Sequence, residues 1–453
     1  LKERGLATSV GDEGGFAPVT GYERLIPVEN ADHTVKPGYE AVPVRTAERK
    51  KRIEEERKNL TEHMRAVYQG EKGWKLQDVA ESRKSMEQFL SQFSDEELAC
   101  LVRGEGMRSP KVTSGTAAAF GGVTDVLKEH GIPVACCADG PSGIRRDDGH
   151  RAFSIPIGTA LACTFNLPLV ETLFTWMGKE LKENKIDLLL GPGMNIHRHP
   201  LNGRNFEYFS EDPYHAGKMA AAYIRGIQSQ GIAACPKHFA ANSQELRRMA
   251  NDSVVDERTF RELYTTGFEI AVKEGKAKSI MSSYNEVNGI YANENSHMLQ
   301  KILVDEWGFD GFVVSDWGGS NDHALGVKNG SHLEMPGTGN SGVHDIVEAV
   351  KNGNLTEEVL DQRLDELLSV IIDTHQATEE KKGTAFNVEA HHELARKAAE
   401  ESVVLLKNED HILPLKQGSS VAIYGAGAGK TIKGGTGSGD VNERENVSVF
   451  QGM

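Results

Sequence analysis

The sequence predicts an α/β fold, a parallel sheet of the (β/α)₈-barrel kind with a second α/β unit after a linker. Three observations carry this. From about residue 84, short apolar runs are each followed by polar or glycine-rich residues and then a helical stretch, the alternation that crossover-connected parallel strands produce. Most of these runs end in polar or reactive side chains, and in such barrels the strand C-termini converge on one pocket. Residues 376–387 are polar and hold the charge cluster and glycine of a linker.

Along the chain, residues 19–83 form a charged lead-in, in which the run Arg49 to Lys58 reads as part of a solvated helix. Five strands then follow. Ile132 to Cys137 stops at Asp139; Ile186 to Leu190 stops at Gly191-Pro192; Ile232 to Cys235 stops at Lys237-His238; Ser279 to Met281 stops at Tyr284; Phe312 to Val314 stops at Asp316. Between them, Phe260, Leu263, Tyr264, Phe268 and Val272 fall at helical spacing as a core face, with Asp256 placed to cap the first turn. Past the linker, Glu389 to Asn408 reads as a helix with its turn, and Ser420 to Tyr424 as a strand. The glycine-rich string Gly425 to Thr431 imitates a phosphate loop. Tyr424 stands where a P-loop needs glycine and Lys430 where a dinucleotide fingerprint needs it, so no nucleotide cofactor is expected.

Composition narrows the function classes. Of 453 residues, 51 Lys and Arg against 66 Asp and Glu leave a net charge of −15, which disfavours nucleic acid and anionic membrane as partners. No apolar run approaches the roughly 18 residues of a membrane span, and no charged-then-apolar leader opens the chain. The five cysteines form no C-x-x-C pair and are odd in number, so neither a zinc knuckle nor a disulfide framework is expected and a reducing, cytoplasmic setting fits best. His197 and His199 lack a third ligand in register, and no metal is expected. Leu1 in place of Met, and a glycine-rich stretch before Met453 that reads as the opening of a domain rather than its close, suggest a chain cut at both ends.

Lys237 to Arg248 sets a lysine, a histidine and an arginine directly after a strand, a rim of donors and acceptors suited to sugar hydroxyls. Together with Ala138-Asp-Gly-Pro-Ser-Gly-Ile-Arg145, Gly191-Pro-Gly-Met-Asn-Ile196, Gly203-Arg-Asn-Phe-Glu-Tyr208, Ser210-Glu-Asp-Pro213, Met281-Ser-Ser-Tyr-Asn285, Trp307-Gly-Phe-Asp-Gly311 and Ser315-Asp-Trp317, this string resembles glycoside hydrolase family three, which contains many β-glucosidases. The resemblance runs from about residue 84 to the end. It implies a TIM-type (β/α)₈ barrel over residues 84–375, a linker at 376–388 and the start of an α/β sandwich domain over 389–453. It also implies a retaining, exo-acting hydrolase of terminal β-D-glucosyl residues, with Asp316 as nucleophile. Asp139, Arg204, Lys237 and His238 would grip hydroxyls, Met281 and Tyr284 would flank the nucleophile, and Trp317 would offer an apolar face to the pyranose; Arg248 ranks behind Arg204.

The expected partner is therefore a β-glucoside or short oligosaccharide, with a homo-oligomer compatible. No general acid/base is legible. One branch of the family carries an Asp/His dyad after the Lys-His pair, but residues 239–251 contain neither; the other borrows a glutamate from the second domain. The alternative function is thus a sugar-binding polypeptide inactive on natural substrates. His332 stands where the family commonly has aspartate, which puts the geometry of that loop in question. Residues 1–18 resemble an internal active-site segment of enolase, with Glu13 matching a catalytic residue; no other enolase string follows, and a junction or fusion is the expected origin.

Overall fold

The structure is a computed structural model that describes residues 69–380 and 386–453, together with the path of two strands, β1 (Glu23–Glu29) and β2 (Val35–Ala41), which pair as an antiparallel hairpin. The enolase-like residues 1–18 and the charged run from Arg49 to Lys58 lie outside the described residues. Packing begins before residue 84, because Leu76, opening the short helix Leu76–Ala80, is buried and Lys84 lies 3.7 Å over the Trp74 ring.

All five apolar runs form strands. One sheet takes the order β3 (Glu105–Gly106), β4 (Ala118–Gly121), β5 (Val134–Asp139), β6 (Leu188–Leu190), β7 (Ala233–Ala234). A second contains β8 (Lys237–Phe239), and a small third sheet begins with β9 (Asp252–Ser253). β10 (Ser279–Ser282) joins β8, while β11 (Glu286–Val287) and β12 (Ile290–Tyr291) complete the small sheet. β13 (Phe312–Val314) pairs in parallel with β10. The sheets are mixed rather than all parallel, since β4 runs antiparallel to both β3 and β5. Single bridges continue the pairing beyond the named strands: Gly193 with Lys237, Val314 with Leu333, and Arg103 with Glu334.

The strands read as unbroken apolar runs because both of their faces are covered. Successive side chains point to opposite faces. Accordingly Cys136, Ala138, Leu189, Ile280 and Val313 join one buried cluster with the helices Leu167–Glu183 and Pro213–Gln228, while Cys137, Leu188, Leu190, Met281, Phe312 and Val314 join another.

Two expectations need correction. Asp256 does cap its helix, accepting from the Thr259 N–H at 2.9 Å, and Phe260, Phe268 and Val272 are buried, but Leu263 is exposed. The cause is a π-helical segment, Phe260–Thr265, whose i→i+5 bonding adds a residue to the turn and rotates Leu263 outward while Thr265 turns inward. Residues 420–424 form no strand. A strand needs a ladder, and among the described residues none pairs with this stretch, where Tyr424 is exposed. The helix Glu357–Glu380 runs into the stretch expected to be linker, and Val388–Glu401 is helical beyond it.

The C-terminal stretch folds back onto the strand ends. Ala152 N–H donates to the Asn442 carbonyl, and the Asn442 amide donates to the Arg146 carbonyl. Val441 sits against Gly143, and the Phe206 ring lies so close to Gly435 and Gly439 that neither position has room for a side chain.

Candidate active site

Asp139 ends β5, Lys237 and His238 open β8, and Asp316 follows β13, so parallel pairing delivers all four to the same edge. They meet there. Lys237 Nζ lies 3.5 Å from Asp139 Oδ1 and Arg145 Nη1 3.6 Å from its Oδ2, while His238 Nε2 lies 3.6 Å from Asp316 Oδ2. Asp316 Oδ1 accepts the Trp317 N–H at 2.8 Å, which fixes the carboxylate against its own backbone. None of Asp139, Lys237, His238 or Asp316 is more than 5% exposed, a degree of burial that charged groups tolerate only when paired.

His238 is held from behind. Its backbone N–H donates to Asn195 Oδ1 at 2.8 Å, its carbonyl accepts from Asn195 Nδ2 at 2.9 Å, and Nδ1 lies 3.3 Å from the Tyr208 hydroxyl. Burial, then the charges of Arg204, Lys237 and Arg248, push the imidazole well below its ordinary pKa, so it is neutral at pH 7. Burial likewise raises the Tyr208 phenol, keeping it protonated and able to donate. Arg204 gives its Nε to Glu207 Oε1 at 2.6 Å, and both Nη atoms are buried with no protein partner. Two unmet guanidinium donors in a buried site call for acceptor oxygens from a ligand.

Tyr284 donates its hydroxyl to the Trp317 carbonyl at 2.9 Å, bracing the residue next to Asp316, and Trp317 itself is half-buried against the strand core. Met281 is a strand residue paired with Lys237 and Val314 and fully within the core. Residues 70–370 match the glycosyl hydrolase family 3 N-terminal domain, and residues 403–453 its C-terminal domain.

The chain belongs to glycosyl hydrolase family 3.

It is 45% identical over 375 residues to a beta-glucosidase of Ruminococcus albus, covering 80% of this chain and 38% of that protein. It is 46% identical over 339 residues to thermostable beta-glucosidase B of Acetivibrio thermocellus, covering 72% and 44%. Among solved structures, beta-glucosidase 3B of Thermotoga neapolitana in complex with glucose superposes with a TM-score of 0.76 at 41% identity, over 82% of this chain and 54% of that one. The chain thus spans roughly two fifths to one half of the length of these relatives.

Within this family 3 chain the structure adds weight to residues that the sequence reading ranked low or passed over. Arg248, ranked below Arg204, stands 4.3 Å over the Tyr284 ring, is buried, and is held by Glu245 Oε2 at 2.9 Å. Its signal was present: Glu245 lies three residues before Arg248 on the same loop, the spacing of a local ion pair. Asn195, Tyr208 and Glu207 were quoted only as parts of strings; the roles of Asn195 and Tyr208 depend on folding across tens of residues, whereas Glu207 pairs with Arg204 at the local i, i+3 spacing. His332 proves structural, accepting the Val313 N–H at 3.0 Å through Nδ1 and meeting Glu366 Oε2 at 2.6 Å through Nε2, so it ties the β13 loop down. His199 Nδ1 accepts from the Leu201 N–H, and among the described residues no group of three or more metal-ligating side chains assembles.

Proposed function

We propose that this chain carries the sugar pocket and nucleophile of a retaining, exo-acting β-glucosidase, built at the strand ends of a closed (β/α)₈ barrel. The observation that carries the reading is the buried convergence of Asp139, Lys237, His238 and Asp316 around an Arg204 whose two terminal nitrogens have no protein partner. The three single bridges beyond the named strands support closure, because they continue the pairing from β6 to β8 and from β13 by way of residues 333–334 to Arg103, just before β3.

In this mechanism Asp316 attacks the anomeric carbon as the bond to the aglycone oxygen breaks, giving a glycosyl ester that water then cleaves. Asp139 accepts from hydroxyls and Lys237 and Arg204 donate to them, contacts that tighten as the ring flattens in the transition state. His238, neutral, sets its Nε2 toward Asp316 and the sugar, while Nδ1 lies 3.3 Å from both the Tyr208 hydroxyl and Asn195 Oδ1. The aglycone oxygen needs a proton from a second group, which is not assigned to any residue. A sugar binder without turnover gains no support, since the relatives described above are named as beta-glucosidases. Free cysteines at all five positions fit a reducing compartment, and no described helix is long and apolar enough to cross a membrane.

Trapping with a slow 2-fluoro-glucoside tests the nucleophile. One sugar mass should appear on the peptide containing Asp316; label on another carboxylate overturns the assignment. Hydrolysis of an activated aryl glucoside compared with cellobiose then measures the acid, whose help is typically worth roughly 10² to 10⁴.

A further inference from the structure

A cleft of about 640 Å³, lined by none of Asp139, Lys237, His238 and Asp316, lies between residues 151–154, the helix residue Glu180, the start of the helix Val388–Glu401, and residues 431–447. It has the size of an ordinary small-molecule site. Glu180, 8% exposed, accepts the Phe153 N–H at 3.0 Å through Oε1, while Oε2 is buried with no partner. Thr431 Oγ1, also lining the cleft, is buried and unpartnered. Phe153 forms part of the wall, with the Phe386 ring edge-on at 5.8 Å and His391 stacked behind it at 3.9 Å.

We infer that this cleft binds a neutral monosaccharide, at a site separate from the Asp316 pocket. Of the wall's charged groups, Lys433 pairs with Glu443 and Arg444 with Glu389 at 2.7 Å, while the one further arginine, Arg151, and the one further surface carboxylate, Glu445, are exposed to solvent. That leaves neither the cationic nest an anion needs nor the three free carboxylates of a cation site. What remains both buried and unmet is a carboxyl oxygen and a hydroxyl beside aromatic carbon. A sugar hydroxyl donates and accepts, so it can satisfy both, while its C–H face covers an aromatic ring. Burial pushes the Glu180 carboxyl up to about 7, which lets it serve as donor or acceptor and further favours an uncharged guest.

The site stands independently of the glycosidase reading, and hydrogen exchange on the whole chain with D-glucose separates the two. Glucose should protect residues 151–154 and 388–392 as well as 237–239. In Glu180→Leu and, separately, Thr431→Val, protection of the first two segments should fall at least about fivefold while that of 237–239 persists. Glu180→Leu removes a buried group, so the rim variant Thr431→Val keeps the test valid if the first fails to fold. Protection confined to 237–239, or protection of 151–154 and 388–392 unchanged in Thr431→Val, overturns the inference and leaves water as the occupant of the cleft.

Discussion

Two buried charged networks flank β13, and they differ in how completely their polar atoms are met. On one side His332 uses both ring nitrogens, Glu366 accepts from His332, and Arg363 donates to Glu366 at 2.9 Å and to Gln300 at 2.9 Å. On the other, His238 Nε2 and both Arg204 Nη atoms have no hydrogen-bond partner in the protein. A satisfied buried network fixes a loop; one left open holds donors in readiness for a ligand at a cost in stability. Burial alone does not separate the two, since both histidines are almost wholly inaccessible.

That contrast can be broken by experiment. Replacing the nucleophile, Asp316→Ala, should lower turnover by roughly 10⁴-fold or more while leaving the denaturation midpoint no lower, because a buried charge is removed with its function. Unfolding of the variant at lower denaturant would place Asp316 with the scaffold instead. Next in size, Lys237→Ala and Asp139→Ala should each cost roughly 10- to 100-fold, mostly in kcat, as a charged hydrogen bond is worth ~1.5–3 kcal/mol. Losses confined to KM would mean uniform binding. Arg248→Ala should cost less, about tenfold, because it reaches Asp316 through Tyr284 and Trp317; steady-state kinetics on an aryl glucoside reads both.

On the scaffold side, His332→Leu should destabilise by about 1–3 kcal/mol in urea unfolding with kcat/KM unchanged per folded molecule. A matching loss of activity would erase the distinction between the networks.

The last effect is one of pH. Asp187, which accepts the Cys136 N–H at 2.8 Å and the Thr378 hydroxyl at 3.3 Å, has its carboxyl raised to about 6, chiefly by burial. A folded pKa above the unfolded value near 3.9 means that the native state holds the proton more tightly. Stability from this group is therefore complete below about pH 4 and is lost as pH rises to about 6. Asp187→Asn should gain on the wild type across that interval by up to about 2–3 kcal/mol and level off above it; a constant difference in thermal midpoint from pH 4 to 8 would refute the assignment.

How much of this was legible beforehand follows from the range of each interaction. Strand positions were, because covered strands leave continuous apolar runs and their polar termini mark one end, as at Asp139, Lys237 and Asp316. The direction of β4 was not, since Ala118 to Gly121 carries no mark of pairing sense. Leu263 misled because a π turn breaks the 3.6-residue period without altering composition. Arg248 was undervalued because its worth depends on Tyr284, which comes beside it only through β8 and β10. Val403, Leu406 and Tyr424 have core composition, yet they are exposed here; periodicity names a face without naming what covers it.

The contact between Asn442 and residues 146–152 has a consequence in time. Its two sides are 296 residues apart. At synthesis rates of about 5–20 residues per second, the Arg146 side leaves the ribosome roughly 15–60 s before its partner exists. The strand ends bearing Asp139, Lys237 and Asp316 can therefore assemble while Phe206 still lacks its two glycines. The nascent chain thus carries these residues before residues 435–442 have been added against Gly143 and Phe206.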